Sequence, residues 1–331
     1  MTRRLEGIVY LKWRTRRNRA NALSALLGAE LIAMPWSTRR NKWNLPFRLP
    51  PQIARTLRVL LRRRPRIVIC ENTHPYGTLS GMIYCRLTGA HYALDCHNST
   101  FQDPLWNRRV MLKLMRWLMS NAAAVIVHND SIRRYAIETL KMRGNFRVVR
   151  SPIPDYDVPA PADLASPSVL AICSYSKFEP VRPILNAARL TPEVYYYLTG
   201  DQTRAKPEVI GLAGPNVTFT GYVPNERFDQ LLGGADVVMC LDRRDNLLQL
   251  AQHQAIGAHR PIVTTDIPTA RGYLTQGAVF VQNTPESIAA GVREAIHRRD
   301  ELREQIRALK PIRQREQAEQ VASLLAELAR R

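Results

Sequence analysis

The sequence predicts an α/β protein made of two doubly wound domains in series, facing each other across a cleft. Three observations carry that reading. Short apolar runs alternate with helical stretches from residue 6 to 152, a proline-rich break follows at 154–168, and the same alternation then restarts. Strands alternating with helices at this pitch pair in parallel, with helices on both faces of the sheet.

In the first half, EGIVYL (6–11) reads as a short strand, and NRANALSALL (18–27) as a helix ending at Gly28, a C′ glycine. LIAM (31–34) is a second strand, and 51–63 an amphipathic helix that stops before Pro65. RIVICEN (66–72) is a buried strand opening into the turn THPYGT, followed by a helix over 79–87. HYALDCHNS (91–99) is a strand and loop, 107–120 a helix, and AAVIVHND (123–130) and FRVVRSP (146–152) are the last strands of this half.

PDYDVPAPADLASPS (154–168), with Pro152 just before it, has the proline content of a linker. Beyond it the strands are SVLAICS (168–174), VYYYLTG (194–200), VTFTGYV (217–223), DVVMCL (236–241), RPIVTTD (260–266) and AVFVQN (278–283). Helices fall between them at 180–189, 225–233, 247–257 and 285–298. The domains are therefore placed at 1–153 and 168–300, both Rossmann-like, with 154–167 as linker. The tail, 301–331, reads as helix broken by Pro311, long enough to cross back onto the first domain.

Composition fits a soluble globular chain of 331 residues, 45% hydrophobic and 23% charged. No apolar run approaches the ~20 residues that span a bilayer, and Lys12 and Arg14 break the apolar stretch a signal peptide would need. Five widely spaced cysteines without zinc-site spacing read as buried free thiols of a reducing cytoplasm. Forty-eight Lys and Arg against 28 Asp and Glu leave a net charge of +20, which draws the chain to polyanions. No Gly-rich phosphate loop or GxGxxG follows a strand, so ATP or NAD has no motif to hold it. Asp242–Asp245 (DRRD) is not an Asp-x-Asp metal motif.

The second half carries the most specific text, NVTFTGYVPNERFDQLLGGADVVMCL (216–241) and HQAIGAHRPIVTTD (253–266), followed by QNTPESIAAGVREAI (282–296). In order and spacing these resemble the GT-B glycosyltransferases, and among them the retaining group 1, GT4-like family of bacterial polysaccharide synthesis. ENTHPYGTLSGMIYCRLTGAHYALDCHNS in the first half resembles the Asp-x-His segment of one branch. The resemblance implies two Rossmann-like domains of GT-B type, a nucleoside-diphosphate-sugar donor and neither metal nor cofactor beyond that co-substrate.

By the same resemblance, the loop Gly221–Tyr222–Val223 would hold the nucleotide base. Ser174, Lys177 and Arg182 would lie at the donor diphosphate. The family has an Arg and a Lys–Gly around that point, and Glu179–Pro180 stand in the Lys–Gly positions here, which leaves Lys177 as the remaining cation. His97 would be the catalytic histidine, donating a hydrogen bond to an oxygen as negative charge builds. His74 and Asn129 would face the acceptor.

Two family glutamates, with seven residues between them, fall on Asn246 and Gln254, with Gln249 beside them as a further donor contact. Both positions are amides. An amide oxygen still accepts from a ribose hydroxyl, so donor binding is weakened and not abolished.

The charge concentrates in the first half. LWNRRVMLKLMRWLM (105–119) places Trp106 and Trp117 among Arg108, Arg109, Lys113 and Arg116, a pattern for a helix lying on an anionic membrane surface or packed on a sheet with a solvated face. Trp36, Trp43 and Phe47 among basic residues strengthen the membrane reading. The expected function is retaining, metal-independent transfer of a sugar to a membrane-associated glycan or lipid-linked acceptor, at the inner face of the cytoplasmic membrane. Two alternatives stay open: a catalytically weak GT-B-like partner subunit, and a nucleic-acid-binding protein. The second lacks any recognised motif.

Overall fold

A computed structural model describes residues 7–13, 19–34, 45–72, 75–102, 109–156 and 164–330. The chain divides into two compact units, Met1–Pro152 with Glu316–Arg331, and Ile153–Arg315.

Unit 1 runs β1 (Ile8–Lys12), α1 (Arg19–Leu26), β2 (Glu30–Ala33), α2 (Leu45–Arg63), β3 (Ile67–Glu71), α3 (Pro75–Thr88), β4 (His91–Asp95), α4 (Asn98–Gln102), α5 (Arg109–Ser120), β5 (Ala124–Val127), α6 (Asp130–Arg134) and β6 (Phe146–Val148). Among the described residues its strands form one parallel sheet, in the order β2-β1-β3-β4-β5-β6. The period-two alternation of β3 sorts its side chains between two cores. Val68 and Cys70 join Leu60 of α2, Met82 of α3 and Leu118 of α5 on one face, while Ile67 and Ile69 join Leu23 of α1 on the other. Each fully buried side chain of this size contributes about 1.5–3 kcal/mol. Gly28, two residues past α1, has φ +63°, the left-handed conformation that ends a helix without a Cβ clash.

Unit 2 runs β7 (Ser168–Ala171), α7 (Val181–Leu190), β8 (Tyr195–Thr199), α8 (Pro207–Ile210), β9 (Val217–Gly221), α9 (Asn225–Gly234), β10 (Val237–Cys240), α10 (Leu250–Gly257), β11 (Ile262–Thr265), α11 (Pro268–Tyr273), β12 (Ala278–Val281), α12 (Pro285–His297) and the long α13 (Arg299–Ala329). Its sheet, also parallel, has the order β12-β11-β10-β7-β8-β9. Counted from its own first strand this is 3-2-1-4-5-6, the Rossmann order, whereas unit 1 has the flavodoxin-like start 2-1-3.

Several expectations need correcting. α13 passes through Pro311 without a break. The proline costs one backbone hydrogen bond, but both sides of it are tied down. Lys310 Nζ donates to Gly257 O at 3.0 Å, and Arg313 Nε to Tyr273 O at 2.9 Å, with Ile306 and Leu309 fully buried one turn earlier. From Glu316 onward α13 belongs to unit 1, where Val321, Leu324 and Leu328 pack in the same core as Ile67. α2 begins at Leu45 and includes Pro50 and Pro51, and α3 begins at Pro75. α10 starts three residues later than expected, at Leu250, where Gln252 Oε1 reaches back to accept from Gln249 N at 3.0 Å and caps the first turn. All five cysteines are free and buried, Cys70 and Cys240 in strands, Cys85 in α3, and Cys96 and Cys173 just beyond strand ends. Among the described residues no helix is long and apolar enough to cross a membrane.

Candidate functional site

In an open parallel sheet, ligands bind beyond the carboxyl ends of the strands, where the strand order reverses. That point lies between β1 and β3 in unit 1, and between β7 and β10 in unit 2.

At the unit 1 crest each strand end delivers a charge into an apolar surround: Lys12 from β1, Glu71 from β3 and Asp95 from β4, with Glu71 and Asp95 paired across the sheet. Arg19 adds a fourth from the start of α1. All four are at most 6% exposed. Asp95 accepts from Tyr10 Oη at 2.5 Å and from the Arg19 guanidinium at 3.3–3.4 Å, and Arg19 also donates to Ser151 Oγ and Val149 O. Burial alone would raise the Asp95 carboxyl, but Arg19, His97 and Tyr10 outweigh it and hold it below the usual range. Burial lowers the Lys12 ammonium, offset in part by Glu71, and Lys12 Nζ donates to Asn21 Oδ1 at 2.6 Å.

His97 follows β4 by two residues. Its Nε2 is buried, 3.4 Å from Glu71 Oε1 and 3.9 Å from Asp95 Oδ2, while the side chain as a whole stays 24% exposed. The backbone beneath it is braced: His97 N donates to Thr100 Oγ1 at 3.1 Å, and Thr100 Oγ1 to Asn72 O at 2.7 Å. Next to it Asn98, 7% exposed, leaves both amide atoms buried without a hydrogen-bond partner. Asn129 is also buried, but its Oδ1 accepts from Ile132 N at 2.8 Å and caps α6, so that oxygen serves the helix. His74 lies outside the described residues.

The unit 2 crest is built differently. Ser174, Lys177 and Arg182 are all exposed. The Glu179 carboxylate accepts from Ser174 N at 2.9 Å, Ser174 Oγ at 2.8 Å and Ser176 N at 3.2 Å. An acidic side chain thus fills the amide cradle at the head of α7, where an anion would find donors. Lys177 Nζ stands 5.0 Å from the Phe178 ring, whose other cationic neighbour is Arg244 at 4.5 Å. Arg244 is held in turn by both oxygens of Asp242, at 2.8 and 2.7 Å.

Gly221 ends β9 with φ +69° and open space where a Cβ would be, and Tyr222 after it is 77% exposed. Asn246 is half-buried in the loop before α10. Of the glutamines, Gln249 sits highest, its Nε2 donating to Leu241 O at 3.2 Å with Oε1 buried and unpaired. Gln252 and His253 are buried and face inward, Gln252 Nε2 donating to Thr264 Oγ1 and His253 ring-stacked on Tyr273 at 4.9 Å. Gln254 lies on the second turn of α10, half-buried, and hydrogen-bonds the Tyr156 side chain.

The basic helix is only partly in view. Trp106 and Arg108 lie outside the described residues, as do Trp36 and Trp43, and Arg109 is the first residue of α5. Lys113 is exposed. Arg116 instead folds onto unit 1, donating to Leu140 O at 2.9 Å, and Trp117 is 39% exposed with Arg86 5.1 Å above its ring.

The sequence reading missed Tyr10, Lys12, Arg19 and Glu71. For Lys12 and Glu71 the signal was a charged residue closing an apolar strand-like run, as Asp95 does in β4. Among the described residues no group of three or more His, Cys, Asp or Glu side chains could hold a metal ion.

The family model of the glycosyl transferase 4-like domain matches residues 12–171, and that of the glycosyl transferases group 1 matches residues 175–298. The chain belongs to the group 1 glycosyltransferases. This glycosyltransferase is similar in fold to Anabaena HepE in complex with UDP and glucose (13% identity, TM-score 0.70, covering 98% of each chain). It is similar also to sucrose-phosphate synthase of Thermosynechococcus elongatus (14%, TM-score 0.69, 91% of this chain and 83% of that one). A third similar structure is the pneumococcal O-GlcNAc transferase GtfA in complex with UDP and GlcNAc (13%, TM-score 0.59, 80% of this chain and 57% of that one). No curated protein sequence matches this chain. The two Rossmann-like units are those of the GT-B fold.

Proposed function

We propose that this glycosyltransferase moves a sugar from a nucleoside-diphosphate donor to a membrane-associated glycan or lipid-linked acceptor, with retention and without a metal ion. The observation that carries the donor side is the group 1 match over unit 2, whose Rossmann crest presents the Gly221 loop, the Ser174–Glu179 cradle and Gln249. Similar structures were solved with UDP and glucose, and with UDP and GlcNAc, which favours a uridine nucleotide. In this reading Gly221, Tyr222 and Val223 hold the base, Asn246, Gln249 and Gln254 the ribose and sugar, and Ser174, Lys177 and Arg182 the diphosphate. His97 acts on the transferred sugar, and His74 and Asn129 serve the acceptor.

The net charge of +20 and exposed Lys113 and Trp117 support attachment to an anionic membrane at the inner face of the cytoplasmic membrane. Liposome flotation with anionic lipid against gel shift at physiological salt separates membrane from nucleic acid. For the donor, purified protein is incubated with a panel of nucleotide sugars. Transfer, hydrolysis or thermal stabilisation by one nucleoside diphosphate is expected, and absence of all three sinks the reading.

A second reading, a weak catalytic partner subunit, is favoured by one observation: Glu179 occupies the cradle at the head of α7, in a family position otherwise held by a lysine. Robust turnover by the wild-type protein alone rules it out.

A further inference from the structure

The two buried carboxylates at the unit 1 crest do different work. Asp95 is committed to Tyr10 and Arg19, and stands 3.9 Å from His97. Glu71 approaches His97 more closely, 3.4 Å from Nε2 to Oε1, and its side chain is fully buried. Among the described residues, Lys12 and Arg19 are the buried cations that share this crest with Glu71 and Asp95.

His97 Nε2 is itself buried beside these carboxylates, while the side chain as a whole stays 24% exposed. A neutral imidazole carries one proton, and the partner of one nitrogen decides which nitrogen bears it. A carboxylate only accepts, so a hydrogen bond from the ring to Glu71 requires the proton on Nε2. The 3.4 Å separation is long for a hydrogen bond, as such contacts often are before a ligand engages the other side of the ring.

We propose that Glu71 is a positioning residue: it holds the Nε2–H of His97 and so makes Nδ1 the nitrogen that meets the sugar. This rests on the reading that His97 faces the transferred sugar, and it reverses the hydrogen bond expected from the sequence. In the neutral ring Nδ1 accepts, so its partner is a hydroxyl of the sugar or acceptor and not a developing oxyanion. Fixing the ring from behind also keeps its plane constant, because the Asn72–Thr100 brace holds the backbone and Glu71 the far edge.

NMR of the full chain with isotope-labelled histidine, at a pH where the ring is neutral, reads the tautomer directly. His97 is assigned by comparison with His97→Gln. Wild type is expected to show the Nε2–H form. Glu71→Gln keeps it, since the amide oxygen still accepts, and Glu71→Leu shifts it toward a mixture. Glu71→Ala serves where Glu71→Leu does not fold. An Nδ1–H tautomer in wild type, or an Nε2–H tautomer unchanged in the Leu or Ala variant, overturns the proposal. With an active donor, Glu71→Leu is expected to lower kcat by about 10- to 100-fold with KM nearly unchanged. A wild type inactive on every donor sinks the transfer reading, while the tautomer still judges Glu71 by itself.

Discussion

The two crests make opposite uses of charge. At the unit 1 crest four charged side chains, Lys12, Arg19, Glu71 and Asp95, are enclosed, and Arg19 and Asp95 are tied into a network that also holds Tyr10 and Ser151. At the unit 2 crest the charged groups other than buried Asp242 are exposed or half-exposed, and their pairings are local: Glu179 with Ser174, Arg244 with Asp242, Arg271 with Asp266. Amides take the inner positions there, Gln249 and Gln252 on α10 and Asn283 beyond β12. A buried charge is retained only with its partners, so the first crest has one fixed electrostatic state. Amides and loop charges cost little to rearrange, so the second can adapt to what it binds.

Breaking the first crest has the largest expected effect. Arg19→Met removes the guanidinium from the buried Asp95 carboxylate, and should cost about 3–5 kcal/mol in denaturant unfolding. A loss below about 1 kcal/mol would mean that the network is not a single unit.

The pH dependence sharpens the same point. The Asp95 carboxyl is held below its usual range in the folded state. The stability it contributes is therefore fully present above the unfolded value of about 3.9, and lost only as pH falls through the depressed folded value. The stability gap between wild type and Asp95→Asn should stay constant from about pH 7 to 5 and close below about pH 4. A gap that shrinks already between pH 7 and 5 would assign it to another group.

At the second crest the effect should appear in binding before stability. Glu179→Lys removes the carboxylate from the cradle and supplies a cation, and should tighten UDP binding by about tenfold or more in calorimetry. Gln254→Glu is expected to add a smaller gain through a stronger acceptor for ribose. Unchanged affinity in both variants would mean that the diphosphate binds elsewhere. The smallest effect belongs to Ser174→Ala, which removes one exposed hydroxyl from Glu179 and should leave stability within about 0.5 kcal/mol of wild type.

Much of the fold was legible in order and spacing. RIVICEN, AVIVHND and DVVMCL are short, apolar and bounded by turn residues, and each contains a buried parallel strand, β3, β5 and β10. Helix ends were less legible. Pro50, Pro51 and Pro311 all lie inside helices, because tertiary contacts hold the flanking turns where local propensity would end them. α4, α6 and α11 were missed because five or six residues carry no helical period.

The candidate site divides in the same way. The 253–266 frame and His97 could be singled out in the text, because strand-end position and motif order are properties of the chain alone. On α10 the side chains diverge: Gln252 and His253 are buried, while half-buried Gln254 bonds Tyr156, a division that only the fold makes. Asn129 likewise became a helix cap once Ile132 N was placed beside it.

By itself the sequence determined two parallel α/β sheets, their order along the chain and the family to which they belong. These follow from local period and from motif spacing, both written in one dimension. Only the tertiary structure decided that Tyr10, Lys12, Arg19, Glu71 and Asp95 form one cluster around His97. Residues 85 positions apart meet there because parallel pairing aligns the carboxyl ends of β1, β3 and β4. The same folding placed the Glu179 carboxylate on the amides of Ser174 and Ser176. That contact depends on the turn between β7 and α7, which residue type alone does not specify.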